Sequence, residues 1–170
     1  MRDADFERLV HRYHRAVHAY ARSMASTPSI AEDAVQETFV RAWKYLDSFR
    51  GDGSFEGWLI RICRRCVLDQ EARERTAAMD IAPGGGARHG PSLTQAPDHR
   101  GEVLAVLRQL PRKYREVLVV CGILGYDYET AATILDVPIG TVRSRLHRGR
   151  LALAVALSPE DESVDGQASA

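Results

Sequence analysis

Residues 128–150, YETAATILDVPIGTVRSRLHRGR, most narrow what this chain can fold into. Two short helical patterns meet there across a break of only a few residues. Ala131 and Ala132 are small, as needed where two helices cross closely. Asp136 falls where the chain must turn; Gly suits a left-handed position best, and Asp tolerates it. Pro138 fits the first position of a helix, where its missing N–H is no loss, although Val137 ahead of it is a poor cap. At about 100° per residue, Val142, Leu146, Gly149, Leu153 and Leu157 form one inward stripe. The outward face then presents Arg143, Ser144, His147 and, toward its edge, Arg148, while Arg145 and Arg150 flank the stripe within reach of phosphates. A short helix with arginines and a hydroxyl near its N-terminus suits the major groove of duplex DNA, where arginine to guanine is the commonest specific contact. A solvated basic face on an ordinary bundle helix would explain the charges. It would not explain the small alanines, the compact turn and the outward set occurring in register.

The overall charge balance conceals this segment. The 170 residues carry 23 Lys or Arg and 23 Asp or Glu, a formal net charge of zero. Yet residues 137–157 hold Arg143, Arg145, Arg148 and Arg150 with no acid, and residues 158–170 hold Glu160, Asp161, Glu162 and Asp165 with no base. Local sign is what steers a surface toward phosphate. The longest apolar run, Val117 to Leu124, is far too short for a bilayer, and charge begins at Arg2, so neither a membrane span nor a signal peptide is expected. Three cysteines without a secretory signal imply reduced thiols and a cytoplasmic location.

The rest of the chain is helical in pattern. Phe6, Leu9, Val10, Tyr13, Val17, Tyr20 and Met24 recur at three- and four-residue steps. Pro28 breaks the chain, and Ser29 followed by Glu32 has capping-box spacing for a second helix with the stripe Val35, Phe39, Ala42, Trp43 and Leu46. Turn formers fill Asp47 to Gly53, after which Ser54 can cap a third helix that buries Phe55, Trp58, Leu59, Ile62 and Cys66 and runs to about Arg75. Pro83, Gly84, Gly85, Gly86, Gly90, Pro91 and Pro97 deny residues 76–100 a helix, which reads as a flexible linker. Periodicity returns at Val103, Leu104, Leu107 and Leu110. Pro111 opens a helix to about Leu124, Gly125 ends it, and the two helices of the opening segment follow. The expected architecture is all-α: a helical domain over 1–75, the linker over 76–100, a helix-turn-helix domain over 101–157, and a disordered acidic tail over 158–170.

A helix-turn-helix alone belongs to many regulators; the N-terminal half narrows the choice. AEDAVQETFVRAWKYLDSF (Ala31 to Phe49) resembles region two of bacterial sigma factors, and FRGDGSFEGWLIRICRR (Phe49 to Arg65) looks like its continuation. LPRKYREVLVV and the segment 128–150 resemble region four. Both matches, their order and the lack of a third large domain resemble the extracytoplasmic-function (ECF) subfamily. That resemblance implies two small helical domains, promoter DNA and core RNA polymerase as partners, and leaves an anti-sigma factor open. It implies that Asp33, Gln36, Glu37 and Arg41 dock on the clamp helices of the polymerase β′ subunit, against which stands an internal Glu37–Arg41 pair on a solvated helix. It implies that Ser48, Phe49, Arg50, Gly51 and Asp52 receive a flipped base of the minus-ten element, the other reading being a plain interhelical turn. Arg61, Arg64 and Arg65 then follow the non-template strand, although Arg65 stands where many members have Asn. In region four, Arg143, Ser144, Arg145, His147 and Arg148 read the minus-thirty-five duplex, supported by Tyr128, Glu129 and Ala132. Asp136 and His147 depart from frequent choices, which leaves the exact base sequence unread. The remaining alternative is a helix-turn-helix regulator that binds duplex DNA by itself.

No catalytic constellation emerges: there is no phosphate-cradling loop, nucleophile elbow or paired carboxylate set, so neither enzyme activity nor a cofactor is expected. Cys63 and Cys66 form C-x-x-C but lie on or beside an apolar stripe, where packing accounts for them better than redox sensing. His11, His14 and His18 share a helix face, and without a nearby carboxylate or Cys they are not expected to hold a metal. The terminal Ala-Ser-Ala is either an inert tail or a protease recognition tag.

Overall fold

Helix α1 (Arg2–Met24) buries the stripe its spacing predicts: Val17, Tyr20 and Met24 are fully enclosed, and Phe6 and Tyr13 pack at the margin. This is a computed structural model, and it describes residues 2–51, 53–81 and 99–158, among which there is no strand. Helix α2 (Pro28–Tyr45) is capped two residues before the expected capping box at Ser29. Thr27 is the cap, with Oγ1 accepting from the Ile30 N–H at 3.2 Å, and Pro28 fills the first turn. The proline that interrupts α1 thus opens α2, because its missing N–H is one the first turn leaves unpaired anyway. A 3₁₀ turn over Leu46–Ser48 follows.

Helix α3 (Phe55–Ile81) is capped as expected, with Ser54 Oγ accepting from the Gly57 N–H at 2.9 Å. It continues six residues beyond Arg75, since no Pro or Gly intervenes before Pro83 and Ala77, Ala78 and Met79 favour helix. The first part of the expected linker is therefore helical. Its remainder, residues 82–98, and the tail beyond Ser158 lie outside the described residues. Ala21, Ala31, Ala34 and Ala42 are fully buried where α1, α2 and α3 pack, and Leu59, Ile60, Cys63, Cys66 and Val67 complete that core.

The C-terminal half opens with α4 (His99–Gln109) and α5 (Arg112–Val117). A π-helical turn over Leu118–Ile123 replaces the expected continuous α-helix. Val117 to Val120 are all buried, but four successive residues on an α-helix sweep roughly 300° at about 100° each. A wider turn sweeps somewhat less, and here it accompanies burial on several sides of the segment. Gly125 ends the segment at φ +75°. Helix α6 (Tyr128–Leu135) and α7 (Ile139–Leu157) then cross at a left-handed Asp136, with φ 56° and ψ 52°. Pro138 is the cap of α7 rather than its first residue. Val142, Leu146 and Gly149 are buried as expected, and Leu153 is partly so, but Leu157 is 50% exposed where the stripe outruns its neighbours.

The two halves touch. One continuous apolar core includes residues of both, each fully buried large side chain contributing ~1.5–3 kcal/mol. A Cβ placed on Gly57 of α3 would stand 3.7 Å from Ile134 of α6. Arg108 Nη2 of α4 donates to the Arg22 carbonyl of α1 at 3.0 Å.

Candidate nucleic-acid interface

The crossing of α6 and α7 fixes one candidate surface. Asp127 caps α6, its carboxylate accepting from the Thr130 N–H at 2.7 Å. That bond holds the acid below the usual carboxylate range. Ala131 is buried and Ala132 half-buried on α6, which packs against α7, while Ile134 is buried beside Gly57 of α3. Because Val142, Leu146 and Gly149 face inward, Arg143, Ser144, His147, Arg148 and Arg150 are exposed on α7, with Arg145 half-buried beside them. Ser144 Oγ donates to the Thr141 carbonyl at 3.1 Å, which orients the hydroxyl while leaving its lone pairs to accept. Tyr128 is 37% exposed, and Glu129 lies open on the neighbouring helix.

The second surface is the connection between α2 and α3. Gly51 and Gly53 adopt positive φ, 77° and 96°, which bends the loop back on itself. Phe49 anchors it, edge-on to Phe55 at 5.2 Å and tilted on Trp58 at 5.4 Å. Ser48 donates to the Tyr45 carbonyl at 2.6 Å. Beside this anchor opens a cavity of about 570 Å³ lined by Ser48, Phe49, Arg50, Trp58 and Arg61, and closed on its far side by Glu129, Thr130, Thr133 and Ile134 of α6. Gly51 borders the loop but not the cavity, and Asp52 lies outside the described residues. A second recess of about 300 Å³ shares Trp58 and Arg61 and adds Arg41, Tyr45, Ile62 and Arg65. Tyr45 is 59% exposed. Sequence periodicity missed it, and its signal is an aromatic just past the apolar stripe of α2 with no inward position to occupy.

The three arginines assigned to the strand are not equivalent. Arg61 is exposed, and Arg65 is open to solvent while pairing with Asp69 at 3.2 Å. Arg64 instead points across to α5, where its Nε meets Glu116 Oε1 at 3.0 Å. Burial disfavours the Arg64 cation, but the charge and hydrogen bond of Glu116 outweigh that and hold it more firmly protonated than usual. Arg112 joins the same cluster, 3.4 Å from Glu116 and 2.6 Å from Glu71. Glu116 is 4% exposed, a buried acid between two guanidinium groups.

On α2, Asp33 and Gln36 are exposed, whereas Glu37 and Arg41 are paired at 2.7 Å and Arg41 also holds Asp69 at 3.0 Å. Those two bonds raise the Arg41 pKa. Val40, not singled out by its sequence, is 46% exposed on the same helix. Cys63 and Cys66 are free thiols at zero exposure, and burial lifts Cys63 to about 12. His14 and His18 stack at 5.7 Å. Contrary to expectation a carboxylate stands close, Glu32 at 3.0 Å from His18. Among the described residues no three His, Cys, Asp or Glu converge on a metal position, and no helix is long and apolar enough to cross a membrane.

Comparison with known proteins agrees with this two-part reading. Residues 9–76 match the family Sigma-70 region 2, and residues 100–153 match Sigma-70, region 4. The chain is 35% identical over 151 residues to the ECF RNA polymerase sigma factor SigE of Mycolicibacterium smegmatis; the match covers 85% of this chain and 58% of that longer protein. It is 33% identical to the ECF RNA polymerase sigma factor EcfG of Rhodopseudomonas palustris (84% and 79% covered) and 30% identical to the ECF RNA polymerase sigma-E factor of Escherichia coli (91% and 87%). Among solved structures it resembles the sigma factor RpoE in complex with the anti-sigma factor NepR from Bartonella quintana, at TM-score 0.76, 29% identity and coverage of 92% and 98%. It also resembles CnrH in complex with the cytosolic domain of CnrY, at TM-score 0.69, 30% identity and coverage of 91% and 88%.

Proposed function

The chain belongs to the extracytoplasmic-function family of RNA polymerase sigma factors, and from that premise we propose that it directs core polymerase to specific promoters by a two-point grip. In this reading α7 enters the major groove of the minus-thirty-five duplex. Arg143 and Ser144, nearest the N-terminus of the helix, address base edges, and His147 and Arg148 extend the contact. Arg145, with Tyr128, Glu129 and Ala132 of α6, supports that seating. The loop cavity receives an unpaired base of the minus-ten element. Phe49 and Trp58 supply aromatic faces, Ser48 and the loop backbone supply polar groups, and Arg50 and Arg61 attract the backbone.

The loop cavity is the observation that carries the proposal. A duplex-binding regulator needs the α7 face but has no use for an aromatic and cationic recess beside it. Docking on core polymerase is assigned to the exposed face of α2, with Asp33 and Gln36 as direct contacts and Val40 as the apolar centre. Glu37 and Arg41 stiffen that face through Asp69. The two structural relatives were each solved with a protein partner, one named as an anti-sigma factor. We extend to this chain an antagonist of that kind, acting in the cytoplasm.

The test places 2-aminopurine at successive minus-ten positions of a promoter and adds the chain together with core polymerase. Fluorescence should rise at one position as that base leaves the stack, and the rise should be lost in Arg61→Ala. A chain that binds the duplex without core polymerase and unstacks no base is a stand-alone regulator instead.

A further inference from the structure

The outer face of α1 carries a row of positive charge that promoter reading leaves unused. Residues 8–24 contain no Asp or Glu. At about 100° per residue, Arg8, His11, Arg12, Arg15, His18 and Arg22 fall within roughly 120° of one another. They stand opposite the buried stripe of Val17, Tyr20 and Met24. Arg8, His11, Arg12 and Arg15 are exposed. From Arg8 to Arg22 the row runs about 21 Å, at ~1.5 Å per residue.

Little acid answers this row. Arg8 pairs with Asp5, and His18 bonds Glu32 at 3.0 Å. Arg12 lies over the Tyr13 ring at 5.4 Å, and Arg12, Arg15 and Arg22 have no carboxylate partner among the described residues. At its far end the row meets more of its own sign. Arg108 of α4 donates Nη2 to the Arg22 carbonyl at 3.0 Å. Burial and the Arg22 charge together hold Arg108 below the usual guanidinium range. Burial and the neighbouring Arg112 do the same to Arg115 of α5. The Nε atoms of Arg108 and Arg115 are buried with no acceptor. Crowded guanidinium groups short of acceptors are stabilised by an arriving anion.

The chemistry of the face selects among anions. A protein interface has an apolar centre, and a helix on a membrane surface has an apolar face. None of the exposed large apolar side chains of the described residues lies on α1. Phosphates need neither, since arginine meets them by charge and paired N–H bonds alone. The row is straight, whereas each backbone of a duplex winds away from a straight line; a flexible single strand follows it. Imidazoles add flat faces for unstacked bases. His11 is exposed within the row, and exposed His14 at its edge stacks on His18 at 5.7 Å and on Phe39 at 6.1 Å.

We propose that the outer face of α1, continued by Arg108 and Arg115, binds the phosphate backbone of a single-stranded nucleic acid, and that the chain does so by itself, apart from polymerase.

Binding of the full chain to oligouridylate and oligothymidylate, followed by fluorescence anisotropy across a salt series, tests it. Arg12, Arg15 and Arg22 predict that log affinity falls with log salt at a slope of about −2, since each single-strand phosphate contributes ~0.7. Arg12→Gln with Arg15→Gln should reduce that slope by about 1.4 and weaken binding at least about tenfold near 0.1 M salt. Core-dependent run-off transcription by this variant should match the parent. Arg73→Gln with Arg75→Gln removes as much charge from exposed positions on α3. It should change affinity by less than about twofold, because charges off the row are screened. An affinity unchanged in the α1 variant, or lowered equally in the α3 variant, overturns the proposal. Strand binding that survives in the α1 variant but is lost in Arg61→Ala would place the strand in the loop cavity instead. Displacement by polyglutamate at equal charge would make the occupant an acidic polypeptide, and an equal loss of duplex binding would overturn the strand assignment. A parallel fall in transcription would give the face to the promoter grip and end its independence. Absent transcription with the unmodified chain refutes the sigma reading and leaves this surface standing.

Discussion

Replacing Arg143 by alanine should separate reading from folding. The side chain is exposed on the fifth residue of α7 and makes no hydrogen bond or ion pair among the described residues. Its loss should leave stability within about 0.5 kcal/mol of the parent, the usual range for such surface positions. If its guanidinium reads a base edge, the variant loses ~1–3 kcal/mol of discrimination, or about 5- to 150-fold in preference for the correct minus-thirty-five base. Competition binding by the polymerase complex, run at fixed salt on promoters mutated singly across that element, measures this directly. The loss should be confined to one or two base pairs. A uniform loss on every sequence would make Arg143 a phosphate contact. An unchanged profile, or a melting temperature that falls with affinity, would refute the assignment.

Gly149→Val should destabilise by about 1–3 kcal/mol, read by denaturant melts, because even a Cβ there meets Leu118 at 3.3 Å and Tyr114 at 3.4 Å. Asp136→Val should cost about 1–3 kcal/mol, since a branched residue is poorly suited to φ 56°, whereas Asp136→Gly should melt at or above the parent temperature. Stability should fall as pH rises from about 9 toward 12, because burial raises the Cys63 pKa over that interval and the unfolded chain loses its proton first. Alkaline melts of Cys63→Ala should show a shallower fall, and native Cys63 should resist alkylation at neutral pH. Asp33→Lys should weaken core-polymerase binding without changing the melting temperature, while Glu37→Lys should lower both by breaking the pair with Arg41.

Much of the fold follows from patterns that act over a few residues. The stripes of α1 and α2, that of α7 as far as Leu153, the Ser54 cap and the left-handed Asp136 depend on spacing and local backbone chemistry, and each is where its residues imply. The differences arise where one local signal outweighs another, or where a distant partner decides. Thr27 rather than Ser29 caps α2 because Pro28 claims the first turn. The π-helical turn stands where four successive residues, Val117 to Val120, are buried, a pattern that no single helix face accommodates. Arg64 sits in sequence like its neighbours Arg61 and Arg65, and only the approach of α5 to α3 turns it toward Glu116. The recess around Tyr45 and the α6 wall of the loop cavity likewise depend on tertiary placement, which no local spacing encodes.

Run-off transcription from a library of promoter sequences, with purified core polymerase and this chain as the only added factor, tests the central claim most directly. The two-point grip predicts discrete start sites that core polymerase alone does not use. Their upstream sequences should share two elements, one near minus thirty-five and one near minus ten. Transcripts indistinguishable from those of core polymerase alone would contradict it.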